Sequence, residues 1–199
     1  MKRSEFRKHF ERDPEDSYAF FDRSGNAQIG MPYPSIEVAE TLVQYPNVVD
    51  LHVGIHDTTT DSRPLGLMLE GWRRTLKKLE IQDFRFENPG DSKIVVENAA
   101  GFFGLKYLYD LELVRVPVSN DALVELSRLK KLRKIHISNT ELKRKSIEIL
   151  ASSSSLKDIR ITNCCGVNSD DEKLLISNGI RPENVTINRK LDRTPYTAR

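Results

Sequence analysis

Residues that staple, anchor or charge-bias a small protein are scarce in this chain of 199 residues. It has two cysteines, Cys164 and Cys165, and adjacent residues close a disulfide only under strain. No disulfide framework is therefore expected, and a reducing, cytoplasmic compartment follows as the expectation. No apolar run approaches the roughly 18 residues that a membrane-spanning helix needs. The opening MKRSEFRKHFERDPED lacks the apolar stretch of a secretion signal and is too acidic for a transit peptide. An excess of one charge is missing too. Lys and Arg number 31 against 29 Asp and Glu, a net of +2, which speaks against nucleic acid or an anionic membrane as partner. A phosphate-binding glycine loop, HExxH, a CxxC pair and GxSxG are all absent, so neither an enzyme nor a cofactor is expected.

What remains is 38% hydrophobic and 30% charged, the balance of a globular domain with a wet surface and enough chain to bury a core. Its middle carries a recurring pattern. Leu76-x-x-Leu79-x-Ile81-x-x-Phe84-x-Phe86 is followed by Leu108-x-x-Leu111-x-Leu113-x-x-Val116-x-Val118. Then come Leu132-x-x-Ile135-x-Ile137-x-x-Thr140-x-Leu142 and Leu156-x-x-Ile159-x-Ile161-x-x-Cys164. An aliphatic triplet at this spacing arises by chance about three times in such a chain, so single matches carry nothing. The intervals carry the argument: starts at 76, 108, 132 and 156 are 32, 24 and 24 residues apart. Weaker copies begin at Val48 and Pro182, and the interval of 32 holds a turn-rich insertion at 87–92.

Helical stripes fall between the copies. Ser119, Asn120 and Asp121 offer N-caps before Ala122, Leu123, Leu126 and Leu129. Residues 169–172, Ser-Asp-Asp-Glu, read as a capping box before Leu174, Leu175 and Ile176. Further stripes are Ile147, Leu150 and Ala151; Val95, Ala99, Phe102 and Phe103; Ile36, Ala39, Leu42 and Val43; and Leu65, Met68, Leu69 and Trp72. A strand and a helix repeated in this way build an α/β protein: a parallel sheet of about six strands with helices along one side. Residues 1–35 stand outside the repeat and read as a hairpin around a glycine turn, capping the open sheet edge. Residues 36–188 form the repeat unit, and 189–199 a loose, basic tail.

The stretch 156–175, with its Cys164 and helix-start residues, resembles the cysteine-containing leucine-rich repeats of F-box-type adaptors and ribonuclease-inhibitor-like proteins. The resemblance spans about 48–188. It implies a short curved solenoid with a concave sheet and convex helices, and a partner protein bound on the concave side. The 35 residues before Ile36 are too few for an F-box domain. In size and repeat number the chain is also similar to the mitochondrial ATP synthase subunit s-like assembly factors.

Alternate residues of each strand leave opposite faces, so third- and fifth-position side chains line the side away from the helices. The third-position column reads Asp50, Lys78, Asp110, Lys134, Asp158 and Asn184. It reads plainly as a cross-strand charge ladder that sets register, and functionally as a docking site for an oppositely patterned partner. The fifth-position column reads His52, Glu80, Glu112, His136, Arg160 and Thr186. His52 and His136 lie three strand steps apart, roughly 14 Å, too far to share one metal ion. His56 falls where the chain turns off the strand and is expected to pack or face solvent without converging on His52. Cys164 reads as structural, Cys165 as a free thiol, and the serines at 152–155 as a polar loop. The expected function is non-catalytic protein binding, as an adaptor or assembly factor. Its expected site is Asp50, His52, Lys78, Glu80, Tyr109, Asp110, Glu112, Lys134, His136, Asp158 and Arg160. The alternative is an enzyme or metal-binding protein using Glu80, Glu112 and His136.

Overall fold

A computed structural model describes residues 1–11, 17–56, 61–84, 102, 104–181 and 184–188. The residues around the 87–92 insertion, the stripe members Val95, Ala99 and Phe103, and Phe86, Pro182 and the tail 189–199 lie outside the described residues.

In chain order the elements are α1 (Arg3–Lys8), β1 (Tyr18–Phe21), β2 (Ala27–Pro32), α2 (Ile36–Leu42), β3 (Val48–Ile55) and α3 (Arg63–Gly71). Then follow β4 (Lys78–Asp83), β5 (Asp110–Val114), α4 (Asn120–Ser127), β6 (Lys134–Ser138), α5 (Arg144–Ala151), β7 (Asp158–Thr162), α6 (Ser169–Ser177) and β8 (Val185–Asn188). The eight strands form one open sheet in sequential order. Among them only β1 and β2 pair antiparallel; every later pair is parallel. The result is an α/β fold with a mostly parallel sheet of eight strands, two more than the repeat pattern supplies. No helix among the described residues is long and apolar enough to cross a membrane.

The extra strands come from the hairpin expected in 1–35. Its turn is set by Gly25, at φ 81°, and by Asp22, whose carboxylate accepts hydrogen bonds from the Asn26 backbone and side-chain amides at 2.9 and 2.8 Å. The hairpin does not lie across the sheet edge but lengthens it, because β2 pairs in parallel with β3. The edge is thereby passed to β1, only four residues long. An unforeseen helix, α1, seats the hairpin. Phe6 is fully buried, stacks on Tyr45 at 4.5 Å and meets Phe10 and Phe21 at 5.2 and 6.0 Å.

In the repeats the pattern translates directly into burial. Leu79, Ile81, Leu111, Leu113, Ile135, Ile137, Ile159 and Ile161 are buried on one face, each burial worth about 1.5–3 kcal/mol. Their alternates are half-buried or exposed, except Ser138 at the end of β6, which is buried. The helices complete the buried side: Leu123 and Leu126 of α4 and Ile147 and Leu150 of α5 are fully buried. Trp72 closes α3 and donates its indole N–H to the Tyr45 carbonyl at 2.8 Å.

Two local details differ from expectation. The cap of α6 is Asn168, whose side chain accepts from the Asp170 and Asp171 amides, and the reciprocal carboxylate is Asp171 rather than Glu172. Asp171 is buried and also takes a 2.6 Å contact from Arg144, so the start of α6 is tied to α5. The serine run is less a loop than a clasp. Ser153 and Ser155 are buried and donate to the carbonyls of Ser127 and Leu129, at 3.0 and 2.8 Å, satisfying the end of α4.

Candidate functional site

The third- and fifth-position columns stand in register. Asp50 lies beside Lys78, Lys78 beside Asp110, then Lys134 and Asp158; His52 lies beside Glu80, Glu112, His136, Arg160 and Thr186 in turn. The hairpin extends both columns, with Gln28 beside Asp50 and Gly30 beside His52. Asn184 precedes β8 and closes no strand pair of its own.

Ion pairing follows the fifth column rather than the third. His52 is held between Asp50 Oδ1 at 3.0 Å and Glu80 Oε2 at 2.9 Å. Asp50 Oδ1 is shut off from solvent, with the imidazole as its close polar neighbour. Asp50 first, and Glu80 next, push the His52 pKa up to about 9, against the opposing effect of burial. The imidazole is therefore cationic at neutral pH, and it holds the Glu80 carboxyl below its ordinary range. Further along, Arg160 folds back on Asp158 of its own strand at 3.3 Å. Neither Lys78 nor Lys134 closes an ion pair among the described residues; Lys134 Nζ lies 5.9 Å from the centre of the exposed Tyr109 ring.

Two places on this face have shape as well as charge. The first is a cleft of about 370 Å³ over β2, β3 and β4. The Tyr18 ring packs against Gly30, where a Cβ would come within 2.2 Å of it, and meets His52 edge-on at 6.0 Å. Burial, then the charges of Asp50 and Glu80, raise the Tyr18 pKa. On the other side His56 stacks on Phe84 at 4.8 Å above Gly54. His52 and His56 both line this cleft, β3 running on to Ile55, but as expected they do not converge on one ligand: His52 is held by Asp50 and Glu80, and His56 stacks on Phe84. Their rings serve different partners, so the cleft does not assemble a ligand set.

The second place is a line of hydrogen bonds across β5, β6 and β7. His136 meets Glu112 through Nδ1 at 3.0 Å and the Thr162 hydroxyl through Nε2 at 2.9 Å. Carboxylate, imidazole and hydroxyl in that order can in principle pass a proton. Here both imidazole nitrogens are occupied, and the Glu112 and His136 side chains are about one-third exposed (32% and 30%). Glu80, Glu112 and His136 do not act as one cluster: Glu80 is engaged with His52, and Glu112 with His136. Among the described residues no group of three or more His, Cys, Asp or Glu side chains could hold a metal ion.

The strand pattern does not point to Tyr18, His56 or Phe84 as members of these two places. Thr162 had a signal, since the seventh position shares the face of the third and fifth. Tyr18 had none, because its place depends on how the hairpin registers against β3. No protein-family model matches the chain, and no curated protein or solved structure is significantly similar to it.

Proposed function

We propose that this chain is a short leucine-rich-repeat solenoid acting as a non-catalytic protein-binding module. Its charged sheet face engages another protein, in the manner of an adaptor or assembly factor in the cytoplasm. One observation carries the reading: two charged columns stand in register along one face of the sheet while the apolar side chains bury on the other. A second supports the repeat class. Arg115, Asn139 and Asn163 all adopt positive φ (59°, 56° and 54°) one residue past β5, β6 and β7, so the same turn recurs every 24 residues. Exposed charges on a rigid sheet select partners by complementarity, and Tyr109 supplies an anchor whose ring is already out of the core. Catalysis needs groups preorganised away from water, which the open Glu112–His136–Thr162 line lacks.

The test is comparative capture from the native cell with wild type and a Glu112→Lys/Arg160→Glu double variant. A partner retained by wild type and lost by the variant, with titration calorimetry showing affinity reduced about tenfold or more, supports the reading. Equal affinity of a folded variant overturns it.

A further inference from the structure

The near-zero net charge conceals a segregated surface. Because β4 to β8 run parallel, the turns that precede them all lie along one edge of the sheet. That edge is basic. Arg74 and Lys77 precede β4, Lys106 precedes β5, Lys130 and Lys131 precede β6, and Lys157 precedes β7; all six are exposed. None of the six closes an ion pair among the described residues, whereas Arg73 and Arg128 on the same edge are paired with Glu70 and Glu125. At about 4.8 Å per strand step, the six charges spread over roughly 15 Å. Like charges gathered so closely repel one another, and a polyanion relieves that repulsion.

Two further observations say which kind. Tyr107 and Tyr109, 51% and 48% exposed, stand in the middle of this edge, immediately before β5. Three shallow hollows follow the same edge: about 420 Å³ at Arg73 and Arg74, about 500 Å³ at Arg128 and Lys130, and about 330 Å³ at Lys157. An acidic protein segment would be served by the charges alone. Cations interleaved with exposed flat rings suit a ligand that alternates anionic groups with planar ones.

We propose that this edge binds single-stranded nucleic acid, its phosphates held by the basic turns and one or two bases stacked on Tyr107 and Tyr109. The surface adjoins the charged face proposed for a protein partner and meets it at Tyr109, and it reverses the expectation drawn from net charge. Of the acids near this edge, Glu70 and Glu125 are taken up by Arg73 and Arg128, and Asp110 and Asp158 sit on the sheet face.

The experiment is fluorescence anisotropy of the full chain with a labelled oligouridylate of about twelve nucleotides, alongside a polyglutamate peptide of matched charge, from about 50 to 200 mM salt. The oligonucleotide is expected to bind with log affinity falling linearly in log salt, by about 0.7 per phosphate engaged. Lys130→Glu/Lys131→Glu, and separately Lys106→Glu/Lys157→Glu, should each weaken binding at least about tenfold and flatten that slope. Tyr107→Ala/Tyr109→Ala should weaken it about five- to a hundred-fold with the slope unchanged, and the double Phe variant should restore it. A matched urea-unfolding midpoint certifies each variant's fold. Three results overturn the proposal: no binding at low salt, affinity insensitive to both lysine pairs, or polyglutamate binding equally with the tyrosine variants silent. The last would assign the edge to an acidic protein.

Discussion

His52 combines a shifted pKa with defined partners, and its pH dependence follows from them. Its folded value, about 9, lies above the 6.5 of the free side chain. The stabilisation is therefore fully present below about pH 6.5 and is lost as pH rises through about 9. Allowing for solvent screening of a side chain 28% exposed, about 1–2 kcal/mol is expected to disappear across that window. Urea unfolding at several pH values should show the decline in wild type and not in His52→Gln. The depressed Glu80 carboxyl acts in the opposite sense, its contribution present above its ordinary 4.5 and lost on acidification below it. Arg115 offers a second test. Asn tolerates the left-handed region at Asn139 and Asn163, whereas a long side chain at φ 59° is strained. Arg115→Asn is expected to raise stability by about 0.5–1 kcal/mol, read from the urea midpoint.

Among the elements, α6 shows how a start signal can be read one residue out. Ser169 and Glu172 form a sequence-perfect capping box, yet Asn168 and Asp171 are one frame earlier and win. The reason is tertiary: in that frame Asp171 also reaches Arg144 on α5, a contact Glu172 does not make. Asn168→Ala is expected to cost about 0.5–2 kcal/mol, whereas Ser169→Ala should leave the unfolding midpoint nearly unchanged. The serine clasp at 152–155 has the same origin. A run that reads as a polar loop becomes buried when the neighbouring helix leaves carbonyls that need donors.

For the whole molecule, a continuous core from β2 to β8 implies one cooperative transition. Leu113 and Ile137, fully buried on adjacent strands, are its centre. Replacing either with Ala should cost about 2–5 kcal/mol, and the loss should appear equally in helix and fluorescence signals if the repeats unfold as a unit. A loss under about 1 kcal/mol would contradict the strand frame.

The sequence by itself determined the strand frame, because a two-residue alternation of aliphatic and charged side chains repeated every 24 to 32 residues has one economical arrangement: apolar faces buried together, charges left in water. That is why periodicity alone marks Asp50, Lys78 and Asp110, and His52, Glu80 and Glu112, as neighbours. Only the tertiary structure decided what those neighbours do. Whether a charge pairs along its strand, as Arg160 does, or across to its neighbour, as His136 does, depends on rotamer and reach rather than on periodicity. The cleft is tertiary too. It exists because the hairpin adds to β3 in the register that sets Tyr18 on Gly30, a match between segments whose sequences carry no common repeat. The basic edge was hidden for a related reason. Its residues are dispersed from 74 to 157 in the chain, and only a parallel sheet, which aligns every preceding turn on one side, brings them together.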